Sequence, residues 1–389
     1  MKTPWLTIFE YEAYAFIALL VTALATPVAA RLAFRYGVLD RPDRFLKPHA
    51  KPTPYLGGTA ICLGWSLCLL AAMFFSPSTV DFKLLLPIML GGIVMSALGL
   101  CDDIFDISPR IRLAVGASVI FLVMASTGAG LHLARTPFGF LGISLPPAVA
   151  LPISFLIGLF IVLGACNSTN LIDGLDGLCA GVTAIIALGF FIIAAYLAVY
   201  EWARDANATR LVLSIAMLGA TLGFLPFNFN PAKIFMGDAG SVLLGYNCGI
   251  MILLFDEGGV IRWMLAGLMV FAVPILDTAL AIFRRWRSGR SIFAGDRSHF
   301  YDQLRDRGWS VKQTVMICYA LAIFFAILGC LAIWIRMRFM IVLYALVFIV
   351  IVFVIYRAGM TKAESIPPSN ESPPTPDARP VSDHVLDRK

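Results

Sequence analysis

The chain has 389 residues, of which 59% are hydrophobic and 14% are charged, and its formal net charge is +6. Average soluble domains are about half apolar and about a quarter charged, so this composition excludes an ordinary soluble protein and indicates an integral membrane protein. The positive charge does not require a nucleic-acid partner, because the basic residues are grouped between the apolar runs.

Apolar segments follow one another along the chain, and each is close to the ~20 residues that a helix needs to cross ~30 Å of hydrocarbon. Lipid cannot satisfy open backbone polar groups, so each segment is expected to be an α-helix. We therefore predict an all-α polytopic membrane protein with about eleven transmembrane helices. The predicted spans are 12–34, 56–75, 84–101, 111–128, 148–166, 181–200, 210–227, 241–256, 262–283, 314–335 and 339–356.

The basic residues predict the orientation of these helices. Only Lys2 precedes the first apolar segment, whereas Arg31, Arg35, Arg41 and Arg44 follow it. Basic residues are retained on the cytoplasmic side, so we expect an uncleaved first span with the N-terminus outside. An odd number of spans then places the C-terminus in the cytoplasm, and more than half of all lysines and arginines fall on that side.

Two regions are expected along the chain. Residues 1–356 form the transmembrane domain, and residues 357–389 form a cytoplasmic tail that contains the sequence PPSNESPPTPDARP. Such a Pro- and Ser-rich polar sequence cannot build a packed core, so the tail is predicted to be disordered.

Polar clusters interrupt the apolar pattern at every loop assigned to the inside within the first nine spans. A single acid near a helix end is explained by solvation or by N-capping. Acids from distant loops that all fall on one membrane face indicate a site instead. The five clusters are HAKPTPYLGG (49–58), CDDIFDISPR (101–110), NSTNLIDGLDGLCAG (167–181), FNFNPAKIFMGDAGS (227–241) and GRSIFAGDRSHFYDQL (289–304).

These residue types predict phosphoryl-transfer chemistry. Carboxylates and asparagine amides are hard oxygen ligands that suit Mg²⁺, and no His/Cys set of the zinc type is present. The run Gly237–Ser241 leads directly into a span, where a helix N-terminus could hold phosphate oxygens. A metal, a phosphate and a membrane together favour transfer to or from a lipid phosphate.

The motifs DDIFD, NSTNLIDGLDGL, FNFNPAKIFMGDAGS and PILDTALAIFRR resemble those of the polyprenyl-phosphate N-acetylhexosamine-1-phosphate transferases. The resemblance covers about residues 10–335, in the family's motif order. It implies Mg²⁺-dependent transfer of a sugar-1-phosphate from a UDP-sugar to a polyprenyl phosphate, with release of UMP. Mn²⁺ is the alternative metal. It also implies a multi-pass protein of the bacterial inner membrane with a cytoplasm-facing site, and by analogy a homodimer.

The resemblance assigns roles to individual residues. Asp238 resembles the metal-ligating aspartate, and Asn170 is its candidate co-ligand. Asp102 and Asp103 resemble the pair on the lipid-phosphate side, and Asp173 is the third candidate catalytic carboxylate. Either an aspartate orients or deprotonates the acceptor phosphate, or an aspartate forms a covalent intermediate. The candidate substrate-binding residues are Lys51, Gly174, Leu175, Asp176, Asn228, Phe235, Arg297 and His299.

Alternatives remain open for two of these side chains and for the branch of the family. Phe235 is either a stacking partner for uracil or a core aromatic, and His299 is either a substrate contact or a solvated loop residue. The family often has several histidines in this fifth cluster, whereas this chain has only His299 there. The eleven predicted spans favour the GlcNAc-1-phosphate branch, which starts surface polysaccharides, teichoic-acid linkage units or O-antigen, over the phospho-muramyl-pentapeptide translocases.

Two other protein classes share some of these features. Intramembrane acids such as Asp277 also occur in ion-coupled transporters, which would place acids near the bilayer midplane. A CDP-alcohol phosphotransferase would need Ala-Arg after its DGxx motif, which the DGLDGL run lacks.

Overall fold

The structure is a computed structural model, and it describes residues 11–40, 52–76, 79–135, 144–200, 206–256, 261–289 and 299–360. Apart from one two-stranded ribbon, all its regular elements are helices. In chain order they are α1 (Glu12–Tyr36), β1 (Leu39–Asp40), β2 (Thr53–Pro54), α2 (Gly57–Phe75), α3 (Phe82–Phe105), α4 (Pro109–Thr127), α5 (Pro147–Leu171), α6 (Leu178–Tyr200), α7 (Ala206–Asn228), α8 (Gly237–Leu254), α9 (Ile261–Val270), α10 (Ala272–Arg287), α11 (Phe300–Asp306), α12 (Val311–Leu331) and α13 (Met337–Arg357).

Ten of the described helices are long and apolar enough to span a membrane. The number rises to eleven if the bent pair α9–α10 is counted as one span. The predicted all-α polytopic class is therefore confirmed. The orientation of the termini and the boundary at residue 356 stay predictions, and the tail from residue 361 lies outside the described residues.

One predicted span differs in shape from the expectation. The segment 262–283 was expected to be one continuous helix, but α9 and α10 meet at Phe271 with a bend of 74°. Pro274 accounts for the break, because a proline ring clashes with the carbonyl four residues earlier, and here that residue is Val270, the last of α9.

Helix α8 is the centre of the bundle, because 89% of its most apolar window is buried by other helices, against 6% for α13. Small residues let its neighbours approach closely. A Cβ at Gly245 would lie 2.5 Å from Cα of Cys166 in α5, and one at Gly249 would lie 2.7 Å from Cα of Val162. The position of the α8 N-terminus is thus set by tight backbone packing.

The first turn of α8 meets the start of α2 at one end of the bundle. The backbone N–H groups of Gly57 and Gly58 donate to the carbonyls of Phe235 and Met236 at 3.0 and 2.8 Å, and Phe235 N–H donates to the Pro54 carbonyl at 2.8 Å. These bonds hold the segment before α8 against β2, which fixes one wall of the candidate site.

Candidate functional site

A cavity of about 600 Å³ opens at this end of the bundle. Its lining comes from the ribbon, the end of α3, the loop between α5 and α6, the segment before α8 and the α11–α12 region. It brings together predicted residues that lie up to 135 positions apart in sequence. The predicted site residues that line it are Asp103, Asn170, Asp173, Gly174, Leu175, Asp176, Asn228, Phe235 and Asp238.

Asp103, in the last turn of α3, caps the N-terminus of α8. Its carboxylate accepts hydrogen bonds from the backbone N–H groups of Asp238 at 3.0 Å and Ala239 at 3.2 Å. Gly237 adopts φ +67°, and a Cβ there would lie 2.6 Å from Asp103 Oδ2, so the contact requires glycine. A phosphate approaching this helix N-terminus would therefore compete with Asp103 for the same N–H groups.

The side chain of Asp238 lies between a cation and an amide. Its Oδ2 accepts from Arg112 Nη1 at 3.2 Å, and its Oδ1 accepts from Asn170 Nδ2 at 2.7 Å. The same Arg112 nitrogen also bonds to Asp102 Oδ2, so one guanidinium in the first turn of α4 bridges two of the predicted carboxylates. Asp102 does not line the cavity and acts on it through Arg112.

Asp176 and Asn228 join the α5–α6 loop to the segment before α8. Asp176 Oδ2 accepts from Asn230 Nδ2 at 2.8 Å and from the Ala232 N–H at 3.0 Å. Asn228 is buried, accepts from the Gly177 N–H at 3.1 Å and donates to the Ile234 carbonyl at 2.9 Å. Both predicted nucleotide residues therefore shape the pocket wall in addition to lining it.

Asp173 is the exception among the carboxylates of the cavity. Among the described residues, no hydrogen bond or ion pair engages its side chain, although Asp103, Asp176 and Asp238 each have at least two partners. Burial, followed by the negative charge of neighbouring aspartates, raises the pKa of Asp173 to about 8. A carboxylate with such a pKa can gain or lose a proton near neutral pH.

His299 lies apart from the cavity lining. It is buried, its Nδ1 is 2.7 Å from Asp277 Oδ2, and its ring stacks on Tyr301 at 5.5 Å between centroids. Tyr301 in turn packs against Gly174, where a Cβ would overlap its hydroxyl. His299 thus reaches the site through Tyr301, and its direct contact with substrate stays a prediction. Lys51 and Arg297 lie outside the described residues.

The intramembrane acid Asp277 has a structural role. Its Oδ2 pairs with His299, and its Oδ1 accepts from the Phe300 N–H at 2.7 Å, at the start of α11. Both oxygens are therefore engaged in holding α11. The transporter alternative was based on Asp277, and the contacts of this residue with His299 and Phe300 explain its presence without an ion path.

Sequence reasoning missed several residues of the site. Arg112 stands outside every acidic motif, and its role becomes visible only when its guanidinium is found 3.2 Å from Asp238 at the start of α8. Tyr55 and Asn230 could have been found from the sequence, because they lie inside the polar clusters 49–58 and 227–241. Tyr55 donates to the Asp103 carbonyl at 2.8 Å. The additional lining residues are Asp40, Tyr55, Asn230, Gly237, Arg305 and Val311.

The donor set of the cavity fits Mg²⁺. Five aspartates and one arginine line its described part, so the lining carries an excess of acidic over basic side chains and favours a bound cation. No group of three His, Cys, Asp or Glu side chains in the described ranges could enclose a metal. Mg²⁺ suits this arrangement, because it is usually held by one or two carboxylates with substrate phosphates and waters. Asp238 and Asn170, which contact each other at 2.7 Å, would be the residues that hold it.

Comparison with known proteins identifies the family. The sequence profile of glycosyl transferase family 4 matches residues 85–256. A Bacillus subtilis protein named "probable undecaprenyl-phosphate N-acetylglucosaminyl 1-phosphate transferase" is 32% identical over 350 residues, covering 89% of this chain and 90% of the relative.

Two further relatives carry similar names. A decaprenyl-phosphate N-acetylglucosaminephosphotransferase of Mycolicibacterium smegmatis is 32% identical, covering 78% of this chain and 77% of the relative. An undecaprenyl-phosphate alpha-N-acetylglucosaminyl 1-phosphate transferase of Escherichia coli K12 is 29% identical, covering 80% and 81%. With such similarity over most of its length, this chain belongs to glycosyl transferase family 4 and is an enzyme of the transferase class.

Proposed function

We propose that this protein transfers N-acetylglucosamine-1-phosphate from UDP-N-acetylglucosamine to undecaprenyl phosphate or a similar polyprenyl phosphate. An acceptor phosphate oxygen attacks the phosphorus that carries the sugar, the bond from this phosphorus to the bridging oxygen breaks, and UMP leaves. The product is a polyprenyl diphosphate linked to the sugar. The names of the relatives support the sugar and the class of lipid.

One observation carries the proposal. Nine residues expected from three separate polar clusters line a single cavity of about 600 Å³ at one end of a bundle of apolar helices. A soluble nucleotide sugar and a membrane-anchored phosphate need a polar cavity that adjoins the bilayer, and the position of this cavity at one end of the apolar helices supports such a meeting place.

The metal proposal follows from the charge of the cavity. Bound Mg²⁺, held by Asp238 and Asn170, would offset the charge of the diphosphate and stabilise the departing UMP, with Mn²⁺ as a substitute. Arg112 keeps the Asp238 carboxylate oriented before substrate arrives, because it bonds Asp238 Oδ2 while Asn170 bonds Oδ1.

Proton handling falls to Asp173 in this proposal. Asp102 and Asp103 are engaged by Arg112, by the Ile107 N–H and by the first turn of α8. Asp173 has no such partner among the described residues and lines the cavity. It is therefore placed to take the proton of the acceptor phosphate, whose second pKa is about 6 for phosphate esters.

Location and assembly are also part of the proposal. The basic residues on the loops of this end support a cytoplasm-facing site in the bacterial inner membrane. The homodimer inferred by analogy stays a prediction.

The test follows UMP release by the purified protein in detergent, with polyprenyl phosphate, Mg²⁺ and one UDP-sugar at a time. We expect UDP-N-acetylglucosamine to give the highest kcat/KM, and UMP release to require the lipid phosphate. Asp306→Asn is a matched control, because Asp306 is exposed at the same end and does not line the cavity. A higher rate with UDP-N-acetylmuramyl-pentapeptide would assign the protein to the translocase branch. Absence of lipid-dependent UMP release with every sugar would refute the proposal.

A further inference from the structure

A second polar cavity, of about 290 Å³, lies at the opposite end of the bundle. It is bordered by the start of α3 and the ends of α4 and α8. Because α8 begins beside the first cavity and rises ~1.5 Å per residue, the two cavities are on the order of 25 Å apart. The polar side chains that line the second cavity are Asp81, Lys83, Ser126, Thr127, His132 and Asp256.

Asp256 is the unusual member of this set. Its residue is 1% exposed, and within the described part of the chain neither carboxylate oxygen has a hydrogen-bond partner. Its burial raises its pKa to about 7. An ionised buried carboxylate is strongly unfavourable unless a positive charge or a hydrogen-bond donor reaches it, so Asp256 either holds a proton or is paired with a cation that enters the cavity.

Two of the three bordering helices add negative potential to the same place, whereas α3 begins at Phe82 and contributes positive potential at its capped N-terminus. Helix α4 ends at Thr127 and α8 ends at Leu254, and a helix C-terminus carries about half a negative charge. The buried guanidinium of Arg210 does donate to the Leu254 carbonyl, at 2.9 and 2.7 Å. Neither Asp256 oxygen accepts a hydrogen bond from it or from Lys83.

We propose that this second cavity binds one divalent metal cation, with Ca²⁺ the preferred ion, through Asp256 and other oxygen ligands around it. Asp81 supplies a second carboxylate in the lining, although one of its oxygens already caps α3 through the Lys83 N–H at 2.8 Å. Ser126 and Thr127 add hydroxyl oxygens.

The ligand types select the metal. Within the described ranges no three His, Cys, Asp or Glu side chains come close enough to hold a metal, which disfavours a zinc site. Ca²⁺ accepts a mixture of carboxylate, hydroxyl, carbonyl and water oxygens in flexible geometry, whereas Mg²⁺ demands a stricter octahedron. Such an ion would connect α3, α4 and α8 at the end remote from the reaction, and would therefore stabilise the fold without taking part in transfer.

The test uses the full chain in detergent, freed of metal with a chelator, and titrates it with CaCl₂ during calorimetry and thermal unfolding. Because the first cavity also attracts metal, each titration is repeated in the Asp238→Asn protein. We expect one Ca²⁺ site that persists in Asp238→Asn, together with a rise in Tm of a few degrees. Asp256→Asn should lose both. Glu12→Gln removes an exposed carboxylate outside the cavity and should keep both.

A reversal of stability gives a second readout. In metal-free buffer Asp256→Asn should melt above the parent, because the amide removes a buried charge, and at saturating Ca²⁺ the parent should melt above the variant. The proposal is overturned if Ca²⁺ titrations of the parent and Asp256→Asn coincide, or if NaCl at equal ionic strength reproduces the shift. If Asp256→Asn does not fold, the Asp81→Asn protein tests the proposal instead. Its Ca²⁺ affinity should be at least about tenfold lower than that of the parent, and an unchanged affinity would overturn the proposal.

Discussion

Asp103 and Asp238 are joined through the backbone, because the Asp103 carboxylate accepts a hydrogen bond of 3.0 Å from the Asp238 N–H. The side chain of Asp238 instead accepts hydrogen bonds from Arg112 and Asn170. Two aspartates from different motifs therefore differ in their hydrogen-bonding partners, although both line the same cavity. Asp103 builds the start of α8, and Asp238 presents its charge at the cavity.

The first prediction concerns Asp238 as a metal ligand. Asp238→Asn keeps size and polarity but removes the charge that a hard cation requires. Turnover should fall at least about a hundredfold, the scale of removing one group that stabilises a transition state. Excess Mg²⁺ should recover little of it. UMP release by folded variant in detergent measures the effect, and a rate near that of the parent at the same Mg²⁺ concentration would exclude the assignment.

The second prediction concerns Arg112, whose guanidinium bonds both Asp102 and Asp238. Arg112→Met removes a positive charge beside the metal position, so the Mg²⁺ concentration for half-maximal activity should decrease. Turnover at saturating Mg²⁺ should nevertheless fall, because two carboxylates lose the group that orients them. Arg112→Lys keeps the charge and serves as the control, with a Mg²⁺ requirement near that of the parent. Identical Mg²⁺ titrations for the parent and Arg112→Met would contradict this role.

The third prediction concerns the pocket wall formed by Asp176 and Asn228. Asp176→Ala releases Asn230 and Ala232, and Asn228→Ala releases Gly177 and strands a buried carbonyl at Ile234. Each lost hydrogen bond costs about 0.5–1.5 kcal/mol, and more where a buried group is stranded. We expect weaker UMP binding in calorimetry for both variants, with the larger loss for Asn228→Ala. Unchanged UMP affinity in both would remove these residues from the nucleotide site.

Much of the architecture was predictable from the sequence because a bilayer restricts what an apolar segment can do. Alternating spans place every second loop at the same end of the bundle, so Asp103, Asp173 and Asp238 were expected together, and the structure does place them in one cavity. No knowledge of helix packing was needed for that inference, only the lengths of the apolar segments.

The remaining features depend on packing between distant residues. Arg112 bonds a carboxylate 126 positions away, and nothing in its local sequence indicates that partner. The break at Phe271 lies near Pro274, but a proline alone does not predict a break, because α3 and α5 each continue through a proline of their own. The isolation of Asp256 is likewise invisible in sequence, because an acid after a span is normally solvated.

The fourth prediction concerns topology, which the basic residues indicate and the fold leaves open. Lys83 and Lys233 are both exposed and lie at opposite ends of the bundle, so each can be replaced by cysteine in a background without the native thiols. An impermeant maleimide added to intact cells should label Lys83→Cys and spare Lys233→Cys until the membrane is opened. The reverse pattern would invert the proposed orientation and place the first cavity outside.

The fifth prediction concerns the pH dependence that Asp173 imposes. Burial and the nearby negative charges of Asp238, Asp103 and Asp176 raise its pKa to about 8 in the metal-free protein. A raised carboxylate pKa means that the ionised form, which can accept a proton, becomes abundant only as pH rises toward 8. Positive charge favours ionisation, so bound Mg²⁺ should move the same transition to lower pH.

We therefore expect kcat/KM to rise with pH through an inflection at or below about 8, and this inflection should shift downward as Mg²⁺ is raised. Asp173→Asn cannot titrate, so it should lose this inflection and most of its turnover while keeping any transition that belongs to the substrate phosphate. Asp306→Asn, an exposed acid that does not line the cavity, should retain the profile of the parent. If Asp173→Asn keeps the same Mg²⁺-sensitive inflection, the proton is handled by another group and Asp173 is not the base.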